Sequence, residues 1–581
     1  MQNGFICWVD QQLNMPSAYD STTDTLKTHL ERTIEISQLY APTLFPDSVQ
    51  NYVQNLSAAP YNIAASRDVK NLQMAVWWEN ALDGPDQLRQ RVAYALSQLE
   101  VVSDGESPLD RRGEALAYYY DILARNALGN YKTLLLEVAK SPAMGIFLSH
   151  QGNKKTNLVA NTRPDENFAR EIMQLFTIGL YKLSPDGTRQ LDVNGNPLPS
   201  YTQFDIEENA RILTGWDLVG NRRYGLVLNT DGNYITPMEF TPAEHEFGTK
   251  TVLGQPISDD GLGGDLTELV NLLFNHPNTA PFVSRHLIVR LVTSNPSPAY
   301  VGRVSAVFMN NSAGVRGDLK AVVRAVLMDS EARGNSYIAN PNFGKADEPL
   351  LAFTRTLKTF RVKTLDGWQS KNATVMNGVY WYKNPQAHLG QGPLRSSTVF
   401  NFYDAEFIPS DPHFITNKLQ APELQIQTIS PLVNYNNRLV KLFDRFEKNA
   451  ILETNTSVAA HAAGVLTYEN KFLIDFDDEL QVFEMALDGD TNGDFVNIAV
   501  TTVDANGETP RQRAIGALLT HLNDRMFGGV MPSSYYTTLA NYLDTISMRS
   551  FQNRTTKKWA RLIIKDAVQL LVSSSEYKIL K

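Results

Sequence analysis

A mainly α-helical fold, built as a large multi-helix domain with a few short β-hairpins and long irregular loops, is what this chain predicts. Three observations point there. Apolar residues recur at helical spacing in one segment after another. Proline, glycine and capping residues cut those segments to ordinary helix lengths. Strand-and-turn patterns are confined to short stretches, the clearest being the hairpin turn at Asn194-Gly195.

In chain order, short helices are expected over Phe5 to Leu13 and Thr23 to Leu39, with Pro16, Pro42, Pro46 and Pro60 as breaks. A longer one runs from Ala65 to Leu82, its Trp77-Trp78 pair facing the core. Asp83-Gly84-Pro85-Asp86 stops it and caps the next, Gln87 to Val102, where Leu88, Val92, Ala95, Leu96 and Leu99 share one stripe. Helices follow over Leu116 to Ala127 and Tyr131 to His150, then a polar loop over 153–164. Residues 165–179 place Phe168, Ile172, Leu175, Phe176 and Gly179 on one side of a helix. Glu166, Asn167, Arg170, Glu171 and Gln174 fall on the other. That polar face has no lysine; its carboxylates, guanidinium and amides suit fixed hydrogen-bond geometry.

Thr202 to Asp205 fits a capping box introducing a helix over Ile206 to Thr214, closed by Gly215, with Glu207 or Glu208 able to pair with Arg211. Residues 217–260 suggest loops with short strands. Helices resume at Leu266 to Phe274, Phe282 to Val292, Pro298 to Met309, Asp318 to Met328 and 347–362, and an irregular aromatic-rich region spans 363–420. The expected organisation is a helical core over 1–448, an acidic insertion or small subdomain over 449–509, and C-terminal helices over 510–581 packing back on the core.

With 581 residues, 43% hydrophobic and 20% charged, this is an ordinary globular composition. A formal charge of −9 argues against nucleic acid or an anionic membrane as main partner, and no apolar run approaches the length of a membrane span. The lone cysteine, Cys7, lies among aromatic and apolar neighbours and is expected to be a small buried hydrophobe. Met1-Gln2-Asn3-Gly4 does not open a signal peptide, so a cytosolic protein or a trimmed start is expected.

The motifs of several enzyme classes are missing: there is no phosphate-binding Gly-x-x-x-x-Gly-Lys-Ser/Thr loop, no dinucleotide-binding Gly-x-Gly-x-x-Gly turn after a strand, and no Gly-x-Ser-x-Gly elbow. His245-Glu246 opens like a zinc-protease helix, but Thr249 stands where its second histidine belongs, so a histidine metal centre would have to be assembled by the fold. Asp488, Asp490, Asn492 and Asp494 match the first half of a calcium loop, yet Ala499 replaces the glutamate that completes one. Calcium there would be structural; an acidic turn is the other reading.

Glu166 and Glu171 are candidate acid and base, with Arg170 between them to hold an anion, although Glu166 can instead pair with Arg170 one turn on. His245, near Glu246 and Lys250, is the histidine best placed in a loop for proton transfer. His276 and His286 suit packing or surface roles, and His150, at a helix end, suits a dipole interaction. Arg395, in Gly392-Pro393-Leu394-Arg395, either faces the same cleft or anchors its loop.

The run Asp165-Glu166-Asn167-Phe168-Ala169-Arg170-Glu171 through Gly179 resembles the hallmark of a bacterial family catalogued as "domain of unknown function 1800". Further pieces match in order: Asp86 to Ala93, Ala210 to Trp216, His245 with Gly248 and Lys250 before Leu253-Gly254, His276-Pro277, and Gly392 to Arg395. The resemblance implies a largely helical bacterial protein, typically exported to the periplasm or beyond. It also implies a gene neighbour of sulfatase-like character in polysaccharide-degrading species.

Two readings follow. In the first, the protein is an enzyme acting on polysaccharide by hydrolysis, β-elimination or epimerisation. Glu166, Glu171 and His245 transfer protons, Arg170, Arg211, Lys250 and Arg395 bind an acidic sugar, Asn167 and Gln174 orient it, and Trp216 stacks on it. Carboxyls five residues apart on a helix diverge, so the second proton-transfer group is expected from elsewhere in the fold. In the second, it is a non-catalytic exported binding or assembly partner of the sulfatase-like protein.

Overall fold

The computed structural model describes residues 2–19, 26–40, 69–220, 233–334, 340, 342–364, 366, 368–369, 375–452, 472–488, 503–546 and 556–580. Among them are 23 helices, and every sheet is two-stranded. The mainly helical class is therefore what the chain adopts. Two compact units divide it: Met1–Lys345 with Gly392–Gln425, and Ala346–Gln391 with Ile426–Leu580.

The first unit opens with α1 (Gln2–Leu13), α2 (His29–Tyr40), α3 (Val69–Asp83), α4 (Gln87–Ser97) and α5 (Gly113–Asn126). Their shared core is aromatic. Trp77 packs edge-on to Trp78 at 5.1 Å and to Tyr94 at 5.6 Å, and its indole N–H donates to the Tyr120 hydroxyl at 3.0 Å. Such rings bury large area while keeping a polar tip satisfied. On α1 the buried residues are Val9, Gln12 and Leu13, three and four apart. Cys7 falls on the opposite side and is exposed, which corrects its expected burial: helical phase, not local composition, decides which residue faces inward.

The helix expected over Tyr131 to His150 is two helices, α6 (Tyr131–Ala139) and α7 (Pro142–Phe147). Pro142 has no N–H to continue the ladder, so the chain turns at Lys140-Ser141 and restarts with proline in the first turn. α8 (Asn167–Gln174) buries Phe168 and Ile172 as expected, and Phe176 packs just beyond it. The chain leaves through Gly179 at φ +69°. A bridge-paired hairpin follows, its tip at Gly195 in the left-handed region (φ +83°) and tied by Asp192 to the N–H groups of Asn194 and Asn196.

α9 (Gln203–Ile212) has the expected capping box: Thr202 accepts from the Asp205 N–H while the Asp205 carboxylate accepts from the Thr202 N–H. β1 (Trp216–Asp217) pairs antiparallel with β2 (Glu239–Phe240), and β3 (Lys250–Val252) with β4 (Gln255–Ile257). The β3–β4 turn is Leu253-Gly254, both at positive φ (52° and 73°), as a tight hairpin requires. α10 (Gly264–Asn275), α11 (Thr279–Leu291), α12 (Pro298–Met309) and α13 (Leu319–Met328) complete the helical frame. Ser297 and Asp318 cap the last two through their side chains.

In the second unit, helices Asp477–Asp488 and Pro510–Phe527 are joined by Glu479, whose carboxylate meets Arg525 at 2.9 Å and His521 at 3.2 Å. Of the calcium-type loop, Asp490, Asn492 and Asp494 lie outside the described residues, as does the side chain of Asp488.

Candidate functional site

The residues singled out by sequence gather in two places in the first unit, on either side of α9. On one side lies the polar face of α8. Glu166 accepts from Arg170 at 3.3 Å and from the Gln203 amide at 2.9 Å, forming a half-exposed network. Asn167 is exposed, and Gln174 accepts from the Tyr201 hydroxyl at 2.7 Å. Glu171 differs from its neighbours. It is 5% exposed, and among the described residues its Oε2 has no hydrogen-bond partner. Burial raises its pKa to about 7, opposed by the neighbouring Arg170 guanidinium. Tyr201, also raised by burial, feels the charges of both Arg170 and Glu171.

On the other side of α9 is a buried cluster built by the β3–β4 hairpin and the loop that follows it. Thr214, just past the end of α9, receives the His245 ring: Nδ1 lies 2.8 Å from the Thr214 carbonyl, which can only accept, so Nδ1 carries a proton. Lys250 Nζ stands 2.9 Å from His245 Nε2, 3.1 Å from Asp259 Oδ2 and 3.0 Å from Asp265 Oδ2. His245 and Lys250 are fully buried and Asp265 is 1% exposed; Asp259 is half-buried.

Backbone groups fix both aspartates. Asp259 accepts from the N–H groups of Gly248 and Gly261, and Asp265, in the first turn of α10, from Leu266. These bonds and Lys250 outweigh burial and hold the Asp259 carboxyl below its ordinary range. Phe240 and Phe247 stand edge-on to the histidine at 4.9 and 5.6 Å. Gly263, at φ +81°, passes where a Cβ would lie 3.0 Å from both Phe240 and Trp216. α9 clamps the hairpin: Glu208 accepts from the Thr251 N–H at 2.8 Å and Asp205 from Leu253 at 2.7 Å. Arg211 pairs with Glu208 at 2.7 Å and donates to the Phe247 carbonyl.

The remaining sequence-selected residues sit in other surroundings. Trp216 is buried against Phe240, with Lys140 over its ring at 5.0 Å. Arg395 is 6% exposed, paired with Asp104 at 2.8 Å and bonded to Asn71 at 2.8 Å; burial lowers its pKa while Asp104 raises it. This is loop anchoring rather than a side chain presented beside Glu171. His245 likewise lies inside its cluster, not in an open loop. His150 stacks on Phe168 at 4.0 Å and donates to the Ala139 carbonyl, and burial holds its pKa near 4. A neutral ring supplies no cation to a helix end, so the expected dipole interaction is absent there.

Sequence reasoning missed Thr214, Tyr201, Asp259 and Asp265. The last two stood in a visible signal, the acid-and-glycine stretch Ser258 to Asp265 running into a helix, but only folding brings them to His245.

A family model described as "Protein of unknown function (DUF1800)" matches residues 1–579. The chain belongs to that family. No curated protein and no solved structure matches it.

Proposed function

We propose that this DUF1800 protein is an enzyme acting on polysaccharide, with Glu171 as its proton-transfer group and Arg170 recognising an acidic sugar. One observation carries the reading: a buried carboxyl whose Oε2 has no hydrogen-bond partner among the described residues, with a pKa near 7, stands one residue from a half-exposed guanidinium. A carboxyl that exchanges its proton near neutrality suits general acid–base catalysis. For a uronate-containing chain, Arg170 neutralises the sugar carboxylate and acidifies the adjacent C–H. Glu171 takes that proton, and the C4–O bond breaks as the C4–C5 double bond forms. The departing oxygen takes its proton from the Tyr201 hydroxyl. Return of a proton to C5 without C–O cleavage would instead be epimerisation. Export and a sulfatase-like partner belong to this proposal and rest on the family resemblance alone.

The test is a panel of uronic-acid-containing and neutral polysaccharides, assayed for chain cleavage, unsaturated products and solvent deuterium at C5. Activity on uronate polymers that is lost in a well-folded Glu171→Gln variant supports the reading. Silence of the wild-type protein across the panel, or full activity in Glu171→Gln, overturns it.

A further inference from the structure

A surface hairpin between α7 and α8 carries a pattern that neither buried charge group explains. Asn153 closes its base: the side chain accepts from the Asp165 N–H at 2.9 Å and donates to the Asp165 carbonyl at 3.4 Å. Farther out, Asn157 and Thr162 exchange both backbone hydrogen bonds at 3.0 Å. The Asn157 carboxamide oxygen then accepts from the N–H groups of Val159 and Ala160, which fixes the tip. The foot is bonded to the 244–246 segment. There Lys155 donates its N–H to the Glu244 carbonyl, and Thr156 donates its own to the Glu246 carboxylate.

What this hairpin presents is apolar. Leu158 is 89% exposed and Val159 99%, side by side at the tip. Single apolar side chains are ordinary on a surface, but two adjacent exposed aliphatics on a hydrogen-bonded turn form a point of contact. The flanks are cationic: Lys154, Lys155 and Arg163 are exposed, and residues 153–164 contain no acid. Acids beside the loop are engaged, Asp165 by the Asn167 N–H, Glu166 by Arg170 and Gln203, and Glu246 by Thr156. The hairpin over 181–199 lacks this combination. Its Val193 is as exposed, but Lys182 and Arg189 are matched there by Asp186 and Asp192.

Leucine and valine side chains have no group to hydrogen-bond a sugar and no ring to stack on one, so a carbohydrate leaves the tip unused. A bilayer surface uses both parts. Acyl chains take the aliphatic tip, and anionic headgroups take the ammonium and guanidinium groups. The long stems of lysine and arginine keep their charges at headgroup level while the tip enters. Screening confines each charge to about 10 Å at 0.1 M salt, so these cations act locally although the whole chain stands at −9.

We propose that the 154–163 hairpin docks this protein on an anionic lipid surface, inserting Leu158 and Val159 and setting Lys154, Lys155 and Arg163 against the headgroups. The contact is peripheral: among the described residues no helix is long and apolar enough to cross a membrane. It is independent of the Glu171 reading and shares no readout with it.

The full-length protein is sedimented with vesicles of phosphatidylglycerol and phosphatidylcholine in equal parts, and with phosphatidylcholine alone, at low and at high salt. Expected is binding to the anionic vesicles that falls with salt, and binding to phosphatidylcholine at least about tenfold weaker. Lys155→Ala combined with Arg163→Ala is expected to lose about fivefold per charge. Leu158→Ser combined with Val159→Ser is expected to lose at least about tenfold with unchanged circular dichroism, since both side chains are exposed. In Val159→Trp, emission is expected to shift to the blue on anionic vesicles by more than in the wild type. Wild-type protein that stays in solution with anionic vesicles at low salt overturns the proposal, as does equal binding by the Leu158→Ser, Val159→Ser variant. Retention on a polyuronate matrix that depends on Lys155 and Arg163, without vesicle binding, overturns it in favour of a polysaccharide contact.

Discussion

Two groups of buried charge lie on either side of α9, and they are handled in opposite ways. In the hairpin cluster, Lys250 stands within hydrogen-bond distance of His245, Asp259 and Asp265, with backbone N–H groups closing the outside. On α8, Glu171 is buried with an oxygen that has no partner among the described residues, and its pKa is raised. The same desolvation acts on both. Where counter-charges are built in, burial yields a rigid frame; where they are left out, it yields a group that titrates near neutral pH. On the proposed function, that difference separates a structural role from a chemical one within a single unit.

The largest test of the contrast is Asp265→Asn. Removing one member of a fully buried charge cluster leaves the others uncompensated and is expected to cost about 3–5 kcal/mol, read from urea unfolding. A loss under 1 kcal/mol would mean that the cluster is not the frame described.

Glu171→Gln should act in the opposite sense, with a sign set by pH. The folded pKa is about 7 against an ordinary 4.5, so the folded state holds the proton more tightly. That stability is fully present below about pH 4.5 and is lost as pH rises to about 7. The variant should therefore match wild type at pH 4 and exceed it at pH 8, by up to about 3 kcal/mol. Equal stability at both values would show that Glu171 is not desolvated.

Glu100 gives a related case in the core. Its pKa is raised by burial to about 8, with only the Tyr131 hydroxyl lowering it. Its window runs from about 4.5 to 8, so Glu171→Gln should leave part of the acid-to-neutral stability change in place.

Gly263→Ala tests the frame of the cluster rather than its charge. A side chain at φ +81° pressed against Phe240 and Trp216 is expected to cost about 1–3 kcal/mol in thermal unfolding. The smallest effect should come from Glu166→Gln, since its pair with Arg170 is more than one-third exposed on both sides. A change under about 1 kcal/mol is expected at moderate salt.

Much of this was legible in the chain. The inward Phe168 and Ile172 of α8, the capping box at Thr202 and the hairpin tip at Gly195 follow from periodicity and turn chemistry, and all are local rules; the helix from Gln203 ends at Ile212, short of the expected Gly215, and Glu171 is buried although periodicity set it on the polar face. The break at Pro142 was equally local and is explained by the missing N–H. Cys7 was not legible from composition, because helical phase set its exposure.

What the sequence determined by itself is therefore the helical class, the family, and the amphipathic identity of α8. What only the tertiary structure decided is which polar groups meet. Asp265 lies 20 positions beyond His245 and Asn71 over 300 before Arg395, and no periodicity spans such separations. Glu171 and Glu166 look alike as letters on one helix face. Their burial differs because the fold encloses Glu171, within α8, and leaves Glu166, at its N-cap, partly in solvent, so desolvation acts on only one of the two.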